Sequence, residues 1–98
     1  MLSGAARTYL RGRAHRLKPA VHLGKEGLTA GVADAIDASL RAHELIKVRL
    51  AADRDDRRKL AAAIEQRLEC ECVGLVGRMA ILYREHEDPE KRKIQLPG

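Results

Sequence analysis

Tryptophan and phenylalanine are absent from the 98 residues, and Tyr9 and Tyr83 are the only aromatics. Modules that hold nucleic acid by stacking bases on a sheet need several exposed rings, so an RRM or OB-type platform is not expected. Cysteine is scarce as well: Cys70 and Cys72 stand one residue apart. On a strand that spacing puts both side chains on one face at roughly 6.5–7 Å, near the limit for an unstrained bridge. With no histidine at zinc-finger spacing, two reduced thiols and no metal site are expected. No run of about 18 apolar residues exists, and the start Met1 to Arg7 lacks the apolar stretch of a signal peptide. A cytoplasmic chain without a membrane partner follows. Two serines, two threonines and no asparagine are present, none in a recognisable nucleophile elbow, and no carboxylate pair stands out. The expectation is no enzyme, no cofactor and no small-molecule substrate.

Acid is missing from one region in particular. Up to Lys25 the chain carries Arg7, Arg11, Arg13, Arg16, Lys18 and Lys25 and no Asp or Glu; the remainder holds thirteen bases and fourteen acids. The whole formal excess of +5, and the pI near 9.6, therefore comes from this first quarter. A localised excess points to an anionic partner more strongly than a uniformly basic surface does. Arg7, Arg11 and Lys18 fall together on a helical wheel, beside the apolar stripe Ala6, Leu10, Ala14 and Leu17. Such a face forgoes the acid–base pairs four apart that solvated helices use.

This basic segment leads into Gly24-Lys25-Glu26-Gly27, a Gly-x-x-Gly loop between a short apolar run and a helix start at Thr29. Glycines there allow close approach of another chain, and the following helix end supplies free N–H groups and a positive dipole. Lys25 adds a full charge. The spacing is not that of a nucleotide P-loop. Gly24, Lys25 and Gly27, with Arg7, Arg11 and Lys18, are the candidate phosphate-binding residues.

Local signals give the element order. Ser3 caps a first helix, which Pro19 ends, and residues 20–23 read as a strand. Thr29 caps a second helix with Val32, Ile36 and Leu40 inward. Glu44 to Leu50 reads as a strand with Lys47 and Arg49 interleaved. Asp53 starts a third helix lined by Leu60, Ile64 and Leu68. Residues 70–76 and 79–84 pair around Gly77-Arg78 as a hairpin. The charged segment Glu85 to Lys93 reads as a mobile connection, and Ile94 to Pro97 as a tail that docks back. The order α-β-α-β-α-β-β predicts an α/β (α+β) fold, helices packed on a four-stranded mixed sheet, in a single domain spanning 1–98 with 85–98 as a charged C-terminal tail.

The same residues resemble a known family. Leu17-Lys18-Pro19 through Leu23-Gly24-Lys25-Glu26-Gly27-Leu28-Thr29, then His43-Glu44-Leu45-Ile46-Lys47-Val48, Val76-Gly77-Arg78 with Leu82-Tyr83-Arg84, and Lys93-Ile94-Gln95-Leu96-Pro97, look like the CRM (chloroplast RNA splicing and ribosome maturation) domain of stand-alone bacterial YhbY-like proteins. The resemblance covers nearly the whole chain. It implies a fold similar to the C-terminal domain of translation initiation factor three. It also implies RNA binding through the Gly-x-x-Gly loop and association with ribosomal RNA or large-subunit precursors during ribosome assembly. Glu26 departs from the neutral polar residue common at that loop position, so no phosphate contact is assigned to it. RNA is the expected partner and a monomer the expected state. The competing reading is a protein-interaction module recruited to the ribosome through a ribosomal protein.

Overall fold

The computed structural model describes residues 2–97. Helix α1 (Gly4–Ala14) begins where the Ser3 side chain accepts the Ala6 N–H, as its sequence signal predicts. Strand β1 (Pro19–Leu23) follows, then α2 (Ala30–His43), β2 (Leu45–Leu50), α3 (Arg54–Leu68), and the hairpin β3 (Glu71–Val76) and β4 (Met79–Tyr83). A short 3-10 turn, Pro89–Lys91, lies in the tail. The sheet order is β1-β2-β4-β3, with β1 parallel to β2 and the other pairs antiparallel. This is the expected mixed four-stranded α/β architecture.

Alternation along the strands divides the core in two. Val21, Leu23, Ile46, Val48, Leu50, Ala80 and Leu82 point to one face, where α2 and α3 cover them with Ile36, Leu40, Ile64 and Leu68. Leu45, Val73, Ile81 and Tyr83 lie on the other face under α1 (Leu10, Ala14) and the tail residue Ile94. A helix needs one apolar stripe to bury, so each of the three helices finds a sheet face.

Two expectations change. Leu17 lies outside α1, which ends at Ala14, and is 38% exposed rather than part of the buried stripe. The segment Glu85 to Lys93 is not a loose connection. The carboxylate of Glu44, buried to 1% exposure, accepts the backbone N–H groups of His86 (2.7 Å), Lys93 and Ile94 (3.1 Å). Arg92 adds an ion pair to Glu85 and a bond to the His86 carbonyl. A buried carboxylate persists only when such donors replace water, and here the donors come from the tail.

Candidate nucleic-acid interface

The glycine turn sits at the carboxyl end of β1. Gly27 N–H donates to Gly24 O and Thr29 N–H to Gly27 O, each at 3.0 Å. Gly27 has φ 76°, the left-handed region that other residues enter at a cost of roughly 1–2 kcal/mol. Gly24 has no such requirement. A Cβ placed on Gly24, Gly27 or Gly31 meets nothing within 4 Å, so none of the three is small in order to pack against the protein. The space outside them is open to another molecule.

Thr29 caps α2: its hydroxyl accepts the Val32 N–H at 3.2 Å and its carbonyl the Ala33 N–H at 2.9 Å. Ala30 and Gly31, the first two helical residues, keep N–H groups without an acceptor among the described residues, as helix geometry requires. These donors, with the helix dipole, stand next to the exposed Lys25. Glu26 is exposed too and enters no ion pair among the described residues. Arg67 of α3 donates to the Leu28 carbonyl at 3.2 Å and braces the segment between the turn and α2.

The predicted cations do not gather around this turn. Lys18 lies at the opposite end of β1, about 17 Å away for a five-residue strand. Arg7 and Arg11 lie against β3, three strands across the sheet from β1, or about 14 Å. Their charge is used within the chain. Arg7 pairs with Glu71 at 2.7 Å and donates to the Cys72 carbonyl at 2.9 Å; Arg11 donates to the Val73 carbonyl at 2.9 Å. Register shifts between Cys72 and Gly74, and this irregularity frees carbonyls that the two arginines satisfy. Gly74 is small to admit Arg11, whose Cδ lies 2.8 Å from where a Cβ would be. The acid-free helix thus finds its carboxylate on a strand 64 positions later.

Other cations take the places near the turn. Arg49 stands opposite His22 in the β1–β2 register, both exposed. Arg78 tips the hairpin, and its carbonyl accepts the Leu50 N–H at 2.8 Å while Ala51 N–H donates to Leu23 O at 3.0 Å. The ends of β1, β2 and the hairpin are thereby stitched together beside Gly24. The Lys47-x-Arg49 alternation was the available signal: two bases on the face of β2 that α1 only partly covers. Lys47 itself reaches the His15 carbonyl at 3.3 Å.

Nucleophilic chemistry has no foothold in the thiols. Burial pushes Cys70 up to about 12 and also raises Cys72, so neither is a thiolate at neutral pH. Among the described residues no group of three or more His, Cys, Asp or Glu side chains could hold a metal ion. No described helix is long and apolar enough to cross a membrane.

Known proteins resemble this chain in sequence and fold. The family model described as the CRS1 / YhbY (CRM) domain matches residues 2–84. A protein of Haemophilus influenzae named as an RNA-binding protein is 42% identical over 97 residues, covering 98% of this chain and 95% of its own. YqeI of Bacillus subtilis, named a probable RNA-binding protein, is 33% identical over 98 residues, covering 99% of this chain and all of its own. The solution structure of SAV1595 from Staphylococcus aureus, described as a candidate RNA-binding protein, superposes with a TM-score of 0.84 at 34% identity over 99% of this chain and all of that one.

Proposed function

The chain belongs to the CRS1 / YhbY (CRM) domain family, and from that membership we propose that it binds RNA without catalysis, engaging ribosomal RNA or large-subunit precursors during ribosome assembly. The glycine turn carries this reading. It offers open glycines, a left-handed residue at Gly27, the free amides of Ala30 and Gly31, and Lys25 in one place. Backbone N–H groups at a helix start suit phosphate oxygens, and close approach needs glycine. Arg49 and Arg78 extend the positive surface, and Lys18 marks a second contact along β1. Arg7 and Arg11 hold α1 in place and act on RNA through that support. Scarce aromatics favour recognition of phosphate and shape over stacked bases.

Binding of the full chain to a structured fragment of large-subunit ribosomal RNA, measured from about 50 to 300 mM salt, tests the reading. Four phosphates neutralised by Lys25, Arg49, Arg78 and Lys18 correspond to a log–log slope of roughly −3 to −4. A flat response rules out phosphate-led binding. Co-sedimentation with ribosomal particles that survives ribonuclease treatment points instead to recruitment by a ribosomal protein.

A further inference from the structure

A groove of about 320 Å³ opens where the end of α1, the starts of β1 and β2, and the docked tail meet. That volume is at the lower end of the range that holds small ligands. Its apolar lining is aliphatic and includes the buried Leu45 and Ile94 and the half-exposed Leu17. Leu17 is otherwise an apolar residue left 38% exposed with no place in either core cluster.

The rim is charged in one sense only. Arg13, Lys18 and Lys93 surround the opening with the imidazole of His43, and no described lining residue is a carboxylate. Acids are not rare in this chain, and they line two further grooves on its surface: Asp37, Glu69, Glu85 and Glu87 in one, Glu65 in the other. An apolar slot under a wholly basic rim complements a ligand with a flat apolar body and attached anions.

We propose that this groove receives one unpaired nucleotide of the bound RNA, the base against Leu17, Leu45 and Ile94 and its flanking phosphates on the rim. The proposal rests on the RNA-binding reading above and deepens it. It adds a base-holding site at the far end of β1 from the glycine turn, about 17 Å away, with exposed Ala20 and His22 between them. A chain with so few rings thereby gains a contact with a base through aliphatic side chains. Since every base has an apolar face, the slot distinguishes unpaired from paired RNA more than one base from another.

The test compares two labelled RNAs of equal length and charge, a hairpin with an unpaired adenine loop and a fully paired duplex. Each is titrated with the full chain, with Ala20→Phe, which fills the groove from its lining, and with Lys93→Gln. The Lys93 side chain makes no hydrogen bond or ion pair among the described residues, so its variant decides the matter if Ala20→Phe melts early by circular dichroism. The expected result is a preference of about tenfold for the looped RNA in the parent chain, lost in the variants while duplex affinity holds. A preference that survives the folded variants, or equal affinity of the parent chain for both RNAs, overturns the groove and leaves the glycine turn standing. Displacement of the looped RNA by polyglutamate as readily as by oligoadenylate of matched charge assigns the groove to acidic peptide and also overturns it. Binding to neither RNA overturns this proposal and the RNA-binding reading together.

Discussion

The buried carboxylate of Glu44 accepts the backbone N–H of Ile94 at 3.1 Å, across fifty positions of sequence. Glu44 is also the C-cap of α2, at φ 64°, with its own N–H on the Leu40 carbonyl at 2.8 Å and its carbonyl accepting Arg84 N–H at 2.9 Å. One residue thus ends a helix and starts a strand with its backbone, and fixes the tail with its side chain. Ile94 closes the second core cluster over Leu45 and Tyr83, so the tail is part of the fold that shapes the basic groove.

Glu44→Ala strands three N–H groups that now share one carboxylate. Each lost hydrogen bond to a charged acceptor costs about 1.5 kcal/mol or more, so urea unfolding should show a loss of roughly 3–5 kcal/mol. Amide exchange at Lys93 and Ile94 should accelerate beyond that global change. A loss under about 1 kcal/mol would mean that Ile94 burial alone holds the tail.

The two loop glycines separate conformation from contact. Gly27→Ala places a side chain at φ 76° and should cost about 1 kcal/mol of stability. Gly24→Val meets no left-handed dihedral and its Cβ has nothing within 4 Å, so its melting temperature should hold. RNA affinity should still fall, because the added methyls occupy the space where a phosphate backbone would approach. Unchanged affinity in Gly24→Val reduces the loop to a turn.

Arg7, packed against β3, and Arg49, on β2, should behave oppositely. Arg7→Ala removes the pair to Glu71 and the bond to the Cys72 carbonyl, a half-exposed arrangement worth about 1 kcal/mol after solvent screening. Its main effect should be on the unfolding midpoint. Arg49→Ala loses no side-chain hydrogen bond or ion pair among the described residues and should weaken RNA binding several-fold, with a salt slope shallower by about one. Equal effects of both on affinity would contradict the assignment.

Alkaline pH should destabilise the fold. Burial raises the Cys70 thiol from 9.0 to about 12 and, with repulsion from Glu44, the Tyr83 phenol from 10.0 to about 12. Above pH 9 the unfolded chain releases protons that the folded chain retains, so stability is full below the unfolded values and declines as pH rises toward 12. The Tyr83 hydroxyl is buried without a hydrogen-bond partner among the described residues. Tyr83→Phe should therefore be neutral or stabilising at pH 7 and should flatten part of the alkaline decline. Thermal melts from pH 7 to about 11 check both statements.

Much of the architecture was legible because its signals are local. Ser3, Thr29 and Asp53 each cap the helix they precede, and apolar spacing of three and four fills one stripe of each. Gly77-Arg78 turns the hairpin as such a pair should. The glycine turn was readable for the same reason, since its chemistry lies within four residues and the helix that follows. The order of the tail is not legible in the sequence, because high charge between residues 85 and 93 resembles a solvated connection. Its order depends on a carboxylate more than forty positions earlier.

By itself the sequence determined the element order, the place of the glycine turn and the concentration of positive charge in the first quarter of the chain. All of these follow from periodicity, capping chemistry and counting. Only the tertiary structure decided how that charge is spent. The strand order carries α1 to β3, where Glu71 and two bulge carbonyls take up Arg7 and Arg11. The β1–β2 register and the β3–β4 hairpin place Arg49 and Arg78 beside the turn instead. Such meetings depend on strand order and register across tens of residues, and a local pattern of residue types does not specify either.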